Sequence, residues 1–165
     1  ELPPAPEPLK VPAIDAHARL EIVTNTDPDS PEIAEVIASA SKAGVTKLVQ
    51  VGYSAEQSKW CVRLAELYPG KVLAAVALHP NEAPVVADVD ADLRVIAELA
   101  KHPRVRAIGE TGLDYFRTPP ELQEVQRQSF KAHIEIAKKE KRNVWTQTHR
   151  KKSGKTGRNP CSRSL

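Results

Sequence analysis

The sequence is poor in aromatic residues and in cysteine, and it contains no long apolar segment. Phenylalanine, tryptophan and tyrosine make up 4% of the 165 residues, while 41% are hydrophobic and 27% are charged, which is ordinary for a soluble globular protein. No apolar stretch is long enough for a signal peptide or a membrane-spanning helix. Cys61 and Cys161 are far apart. We therefore expect no membrane contact, a reducing cytoplasmic setting, and Cys61 as a small core side chain.

Acidic residues are absent after Glu140, whereas lysine and arginine crowd the last stretch of the chain. The net charge of +3 therefore comes largely from this stretch, and the preceding part is mildly acidic. A uniformly basic surface would indicate nucleic-acid binding through phosphate neutralisation. This distribution identifies no partner, although the basic stretch could bind any polyanion weakly.

Apolar runs that predict strands alternate with amphipathic segments that predict helices. The predicted strands are Val11–Asp15, Thr46–Val51, Val72–Leu78, Val105–Gly109 and a fifth that begins in Asn143–Thr146. The predicted helices start at Pro31 with Ser30 as N-cap, start after Ser54, span Asp90–Lys101, and span roughly Glu121–Lys141. Unbroken apolar strands alternating with helices indicate βαβ units and a parallel sheet, so the fold class is α/β.

Glycine is missing from the segment after the first strand, which reads Asp15-Ala16-His17-Ala18-Arg19. A doubly wound nucleotide-binding fold normally has a glycine-rich phosphate turn there. We therefore predict a parallel (β/α) barrel of TIM type. A complete barrel needs about 250 residues, so only the first four to five units are expected, in a truncated chain. The predicted organisation is a proline-rich leader over residues 1–10, the partial barrel over 11–147 and a basic, disordered tail over 148–165.

Side chains suited to metal-assisted hydrolysis follow three of the predicted strands. They are Asp15 and His17; His79 and Asn81; and Glu110, Asp114, Tyr115 and Arg117. The carboxyl ends of parallel strands meet at one face of the fold, and carboxylates with imidazoles bind divalent metal ions. Structural roles are the alternative: His17 and His79 can brace loops, Glu110 can cap a helix or pair with Arg117, and Asp114 can brace its loop. His102 and His133 are interpreted as structural or solvated.

Four segments together resemble the TatD family of metal-dependent deoxyribonucleases, which are amidohydrolase-like barrels. The most specific is Ala107–Arg117, AIGETGLDYFR. The others are Ile14–His17, Ala77–Pro80 and Phe130–Ala137. The resemblance covers roughly Val11 to Arg142.

The resemblance implies a phosphodiesterase that cleaves DNA with water activated by one or two divalent metal ions, Mg, Mn or Zn. His17 and Glu110 would be metal ligands, and Glu110 would be the catalytic, bridging carboxylate. His79 and Arg117 would contact a substrate phosphate, Arg117 through its planar fork of donors.

Two positions depart from the family pattern. The family's first motif pairs two histidines, and the second position here is Arg19, which cannot donate a lone pair to a metal. The histidine expected at the end of the fifth strand is replaced by Gln147, and His149 would need a bulge or a shifted register to serve. The remaining family ligands would lie in the missing half, so metal binding is expected to be impaired.

Two further hypotheses follow. The chain could be a catalytically inactive fragment of such an enzyme, or the basic tail could bind polyanions by itself. Gly154-Lys155-Thr156 is similar to the end of a phosphate-binding loop, but position 149 is histidine where that motif needs glycine, which excludes this reading.

Overall fold

Five parallel strands form a curled partial barrel in the computed structural model, which describes residues 6–149 except for the side chains of Thr148 and His149. The strands are β1 (Ala13–Ala18), β2 (Val45–Val51), β3 (Val72–Val76), β4 (Val105–Asp114) and β5 (Asn143–His149). They pair in sequence order, and every pair is parallel. Helices connect them, since parallel strands need a crossover connection. The predicted α/β class and partial TIM-type barrel are confirmed.

Five α-helices lie in the connections between the strands. They are α1 (Leu20–Thr24), α2 (Pro31–Lys42), α3 (Ala55–Leu67), α4 (Val89–Ala100) and α5 (Gln123–Glu140), the last preceded by a 3₁₀ turn at Pro120–Leu122. The predicted N-caps are correct: the Ser30 and Ser54 hydroxyl oxygens accept from the Ile33 and Gln57 N–H groups. Such caps satisfy amide donors that have no partner within the helix.

The main core lies between the helices and one face of the sheet. Its fully buried side chains come from both layers: Ile33, Cys61, Leu64, Val72, Ala74, Val76, Ile96, Val105 and Ile108. The opposite face carries a smaller cluster of Val51, Ala75 and Ala107, with Val49 and Trp145 packed against it. Small residues on this concave face suit the inner wall of a barrel. The prediction that Cys61 is a core side chain is confirmed.

Several strand boundaries and one helix differ from the predictions. Strand β2 begins one residue earlier, at Val45, and β3 ends at Val76 instead of Leu78. Strand β1 begins and ends later than the predicted Val11–Asp15, so His17 lies inside it. Strand β4 continues past Gly109 to Asp114, because its second half pairs with β5 after a register shift between Ile108 and Thr111. Glu110 is therefore within a strand. The short helix α1 was not predicted, since five residues are too few for a periodic pattern.

The ends of the described part bear on the predicted domain limits. Residues 6–10 are exposed, but the Leu9 N–H donates to the Ala43 carbonyl oxygen at 2.9 Å, which attaches part of the predicted leader to the end of α2. Most of the predicted tail, with Gly154-Lys155-Thr156 and Cys161, lies outside the described residues, so the tail hypotheses stay predictions. Within the described part, every helix is too short or too polar to cross a bilayer.

Candidate metal site at the strand ends

His17 in β1 and Glu110 in β4 approach each other, although β2 and β3 lie between their strands in the sheet. The distance between His17 Nε2 and Glu110 Oε2 is 3.7 Å; the Glu110 side chain is 10% exposed and that of His17 is 38% exposed. The Glu110 N–H donates to the Gly52 carbonyl oxygen at 3.4 Å, which links β4 to the end of β2. The structure therefore brings together the two residues that the sequence predicted as metal ligands.

Two contacts orient the His17 side of this pair. The Asp15 Oδ1 atom accepts from the His17 N–H at 2.9 Å, and the Trp145 ring of β5 meets the imidazole edge to face, with ring centroids 5.8 Å apart. Trp145 reaches this position because Gly109 has no side chain: a Cβ there would lie 2.4 Å from the Trp145 Cβ. The glycine before Glu110 thus lets β4 and β5 approach closely.

The distance between the His17 and Glu110 side chains can be compared with the spacing of two ligands on one metal ion. Two ligands of a tetrahedral ion, each about 2.1 Å from the metal, lie roughly 3.4 Å from each other, close to the observed 3.7 Å between His17 and Glu110. The two side chains therefore fit one ion as part of its ligand set. In the described range, no group of three or more histidine, cysteine, aspartate or glutamate side chains could hold a metal ion. The remaining ligands would have to be water or lie elsewhere.

Arg19 contacts Glu21 and Tyr53. Its Nε donates to the Glu21 Oε1 atom at 2.9 Å, and its guanidinium carbon lies 4.5 Å from the centroid of the Tyr53 ring, a cation–π distance. The second Glu21 oxygen accepts from the Gln50 side-chain amide. Arg19, which departs from the family pattern as the sequence indicated, thus belongs to a local network of ion pairs and hydrogen bonds.

His79 begins a second polar network on the same rim, which is the edge of the sheet at the carboxyl ends of the strands. Its backbone N–H donates to the Tyr53 carbonyl oxygen at 2.8 Å, and its Nδ1 accepts from the Asn81 N–H at 3.1 Å. The Asn81 side chain then donates to the Asp114 Oδ2 atom at 3.1 Å. His79 is held in the loop after β3 by these contacts, and its role in phosphate binding stays a prediction.

Asp114 collects the donors of the loop that follows β4. Its Oδ1 accepts from the backbone N–H groups of Phe116 and Arg117, and its Oδ2 accepts from Arg117 Nη1 at 2.9 Å. Burial alone would raise the pKa of Asp114, but the hydrogen bonds from Arg117, Asn81 and Phe116 outweigh it and hold that pKa below its ordinary value. Asp114 therefore braces its loop, as the sequence indicated.

Arg117 is bound to Asp114, whereas the sequence had offered Glu110 as its structural partner. The Arg117 side chain remains 58% exposed, so part of its fork of donors faces solvent. Contact with a substrate phosphate stays a prediction for this residue.

His133 lies behind the rim, in helix α5. It is fully buried: its Nε2 accepts from the Leu78 N–H at 3.0 Å and its Nδ1 lies 2.7 Å from the Ser129 carbonyl oxygen. The structural role is confirmed. His102 is also structural, with its Nε2 2.9 Å from a Glu66 carboxylate oxygen.

The fifth strand places Gln147 and His149 in register with β4. Gln147 pairs with Gly112 and His149 pairs with Asp114, beyond the register shift. Gln147 is half-buried at the position where the family pattern has histidine. The His149 side chain lies outside the described part, so its ligand role stays a prediction.

Comparisons with known proteins agree with this geometry. The family model described as TatD related DNase matches residues 14–155. The chain belongs to the TatD family. This match spans β1 through β5 and includes both His17 and Glu110.

Individual TatD relatives give the extent of the match. An uncharacterized metal-dependent hydrolase TatD of Mycobacterium tuberculosis is 38% identical over 131 residues, which is 76% of this chain and 47% of the relative. A 3'-5' ssDNA/RNA exonuclease TatD of Musicola paradisiaca is 41% identical over 105 residues, which is 62% of this chain and 38% of the relative. The chain thus spans about half the length of the curated relatives that it matches, or less.

A solved TatD structure shows the same fold. The crystal structure of a TatD homologue from Escherichia coli K12 matches with a TM-score of 0.70 and 27% identity, over 84% of this chain and 51% of that chain. The half-barrel therefore corresponds to about half of that TatD structure.

Sequence reasoning missed three residues near Arg19. Glu21, Gln50 and Tyr53 form the surroundings of Arg19. One signal was present, since Gln50 is a polar residue in the apolar run that forms β2 and is fully buried. A buried amide requires hydrogen-bond partners, and these are Glu21 and the Leu20 N–H.

Proposed function

We propose that this chain supplies the first half of the active site of a metal-dependent phosphodiesterase that acts on single-stranded nucleic acid, DNA in the first place. The observation that carries the proposal is the approach of His17 in β1 and Glu110 in β4 to 3.7 Å in a TatD half-barrel. Relatives named as ssDNA/RNA exonucleases support the substrate class. An imidazole and a carboxylate at this spacing can bind the same divalent ion, whichever of Mg, Mn or Zn it is.

Each residue of the rim has a proposed part in this chemistry. His17 and Glu110 hold the metal ion, with Glu110 as the catalytic carboxylate. The ion, when bound, lowers the pKa of a water ligand and polarises a phosphoryl oxygen. His79 and Arg117 contact the substrate phosphate. Asp114 positions Arg117 by accepting from its Nη1 atom.

The experiment measures hydrolysis of a single-stranded oligonucleotide with added Mg²⁺ or Mn²⁺. Replacing Glu110 by glutamine keeps the size of the side chain but removes the anionic ligand, and we expect a rate decrease on the order of 100-fold. Glu98→Gln is the matched control, because Glu98 is an exposed helix residue paired with Lys101. Equal rates for the wild type and the Glu110 variant would remove the proposed catalytic role.

A second candidate is that the half-barrel alone is catalytically inactive. It is favoured by the donor set, since the described residues contain no group of three or more histidine, cysteine, aspartate or glutamate side chains that could hold a metal ion. It predicts that the wild type and the Glu110→Gln variant both hydrolyse the oligonucleotide at the background rate. Hydrolysis that depends on both Glu110 and an added metal ion would exclude it.

A further inference from the structure

Phe116 carries an exposed aromatic ring on the loop that follows β4. Among the phenylalanine, tyrosine and tryptophan residues that the structure describes, it is the only exposed one, with 63% of its surface accessible. Leaving such a ring in water forgoes about 1.5–3 kcal/mol of burial free energy. The loop lies at the carboxyl end of a strand, which is the end where barrel proteins bind their substrates. A ligand bound at this end of the sheet can cover the ring.

The loop that carries Phe116 is fixed at both ends. Gln126, fully buried in α5, accepts from the Asp114 N–H at 2.9 Å, and its side-chain amide donates to the Thr118 hydroxyl oxygen. The Thr118 N–H donates to the Asp114 carbonyl oxygen at 3.2 Å and closes the turn. The Phe116 N–H itself donates to Asp114 Oδ1 at 3.1 Å. The backbone therefore presents the ring in a defined place, which lowers the entropy cost of binding.

The residues on either side of Phe116 have different environments. The Tyr115 hydroxyl oxygen accepts from Arg127 Nη1 at 3.2 Å, so this aromatic side chain is tied to α5. Arg117 donates from Nη1 to Asp114, but 58% of its side chain is exposed. The loop thus offers solvent an aromatic ring and a cation at consecutive positions. Proteins that bind single-stranded nucleic acids combine these two groups, the ring for a base and the cation for the phosphate backbone.

The loop lies within reach of the candidate metal site. Phe116 follows Glu110 by six residues, and six residues of fully extended chain span no more than about 22 Å. The two regions are also joined through Asn81, which donates from its side chain to Asp114 and from its backbone to His79. A single strand of several nucleotides, which is the usual size of such a binding site, can therefore extend from Glu110 to Phe116.

We propose that Phe116 stacks on one base of a single-stranded nucleic acid while Arg117 contacts a neighbouring phosphate. Every base has a flat π-face, so stacking on a phenyl ring adds affinity without selecting a sequence. The inference rests on the proposed function for the class of substrate. It concerns binding alone, however, and is tested without any measurement of hydrolysis.

The test measures the Kd of the full chain for a fluorescein-labelled DNA single strand of about 12 nucleotides, by fluorescence anisotropy in EDTA. Phe116→Leu keeps an apolar side chain but removes the ring, and we expect it to raise the Kd about 5- to 150-fold. Phe116→Tyr keeps the ring and should leave the Kd within about twofold of the wild type. Val85→Ala is the control, because Val85 is another exposed apolar residue, in the loop after β3, and it should leave the Kd unchanged.

A second probe separates stacking from a general effect on the loop. A strand of the same length in which every base is replaced by an abasic site keeps the phosphates, and the wild type and Phe116→Leu should bind it with equal Kd. An equal loss of affinity for both strands would overturn the inference, because the substitution would then act on the phosphate contacts.

The remaining outcomes are also decisive. No binding of the intact strand by the wild type, or equal Kd values for the wild type and Phe116→Leu, would overturn the inference. If Phe116→Leu does not fold by circular dichroism, Phe116→Ser replaces it with the same expected increase in Kd. Base-dependent binding through Phe116 together with equal hydrolysis rates for the wild type and Glu110→Gln would support the stacking role and contradict only the catalytic role of Glu110.

Discussion

The His133 imidazole joins helix α5 to the end of strand β3, because its Nε2 accepts from the Leu78 N–H at 3.0 Å. Its Nδ1 lies 2.7 Å from the Ser129 carbonyl oxygen and so carries the proton. Both ring nitrogens are satisfied only in the neutral form. Burial lowers the pKa of His133 to about 4, although the hydrogen bond to Ser129 opposes this shift. The residue after Leu78 is His79, so this bond also fixes the start of the rim.

The first prediction concerns acid stability. The folded chain protonates His133 only near pH 4, whereas the unfolded chain does so near pH 6.5, so the unfolded state binds more protons between these values. The stabilisation that neutral His133 provides is fully present above pH 6.5. Below that pH the free energy of unfolding falls by about 1.4 kcal/mol per pH unit. Between pH 7 and pH 4.5 the wild type should lose about 2–3 kcal/mol from His133, measured as the free energy of unfolding in urea.

A His133→Gln variant is the matched control for this loss. Glutamine can accept from the Leu78 N–H and donate to the Ser129 carbonyl oxygen, but it does not titrate. Its stability should therefore fall less than that of the wild type over the same pH interval. If both proteins lost equal stability, the neutral His133 assigned from the hydrogen bonds would be wrong.

The second prediction concerns Asp114, which is 2% exposed and accepts hydrogen bonds from the loop after β4. Asp114→Asn places an amide group among donors and leaves at least one of them without an acceptor. A buried unsatisfied donor costs about 1–3 kcal/mol. We expect a decrease of that size in the free energy of unfolding and faster proteolysis near Arg117.

The matched control is Asp90→Asn, because Asp90 lies exposed in the first turn of α4. The free energy of unfolding should change there by less than about 0.5 kcal/mol.

The lowered pKa of Asp114 adds a pH dependence with a definite sign. The stabilisation by ionised Asp114 is present above the ordinary pKa of aspartate and is lost as the pH falls through the lowered value. The Asn variant should lack this acid-induced loss. Equal stability of wild type and Asp114→Asn at pH 7 would contradict the bracing role.

The extent of what the sequence predicts is clearest along β4. The apolar residues Val105, Ala107 and Ile108 predict the first half of the strand, because a buried parallel strand reads as a continuous apolar run. The second half, with Thr111 and Gly112, lacks such a pattern and is a strand only because β5 pairs with it. Pairing between distant segments leaves no local signal, so the end of β4 could not be predicted.

In the candidate site, too, one contact could be predicted from the sequence and others could not. The sequence predicted the proximity of His17 and Glu110 from a general rule, that parallel strands bring their carboxyl ends to one rim, although both residues lie within their strands. The partners of the arginines do not follow from it. Arg19 contacts Glu21 and Tyr53, and Arg117 contacts Asp114. These choices depend on side-chain positions that only the assembled fold defines.

The third prediction uses Cys61 as a probe of the core. Its side chain is fully buried and burial, followed by the nearby charge of Glu21, raises the pKa of the thiol far above its ordinary value. The thiolate is the reactive form. In a Cys161→Ser variant, which leaves Cys61 as the sole cysteine, a thiol reagent should therefore react only after urea unfolds the chain. Rapid reaction of one thiol without urea would show that α3 does not cover Cys61 in solution.

The fourth prediction tests the contact between β4 and β5 at Gly112. Its φ is +141°, and a Cβ there would lie 2.0 Å from the Gln147 carbonyl oxygen, which is backbone and cannot move aside. Gly112→Ala should therefore force the two strands apart and lower the free energy of unfolding by at least about 2 kcal/mol, from strain and lost strand hydrogen bonds. Gly70→Ala is the control, because a Cβ at Gly70 would meet no atom within 4 Å, and it should change stability by less than about 0.5 kcal/mol.

Because β5 also carries Trp145 against His17, the fluorescence of that tryptophan should shift to longer wavelength in Gly112→Ala but not in Gly70→Ala. Unchanged fluorescence and stability in Gly112→Ala would mean that β5 does not pair with β4 in the register described.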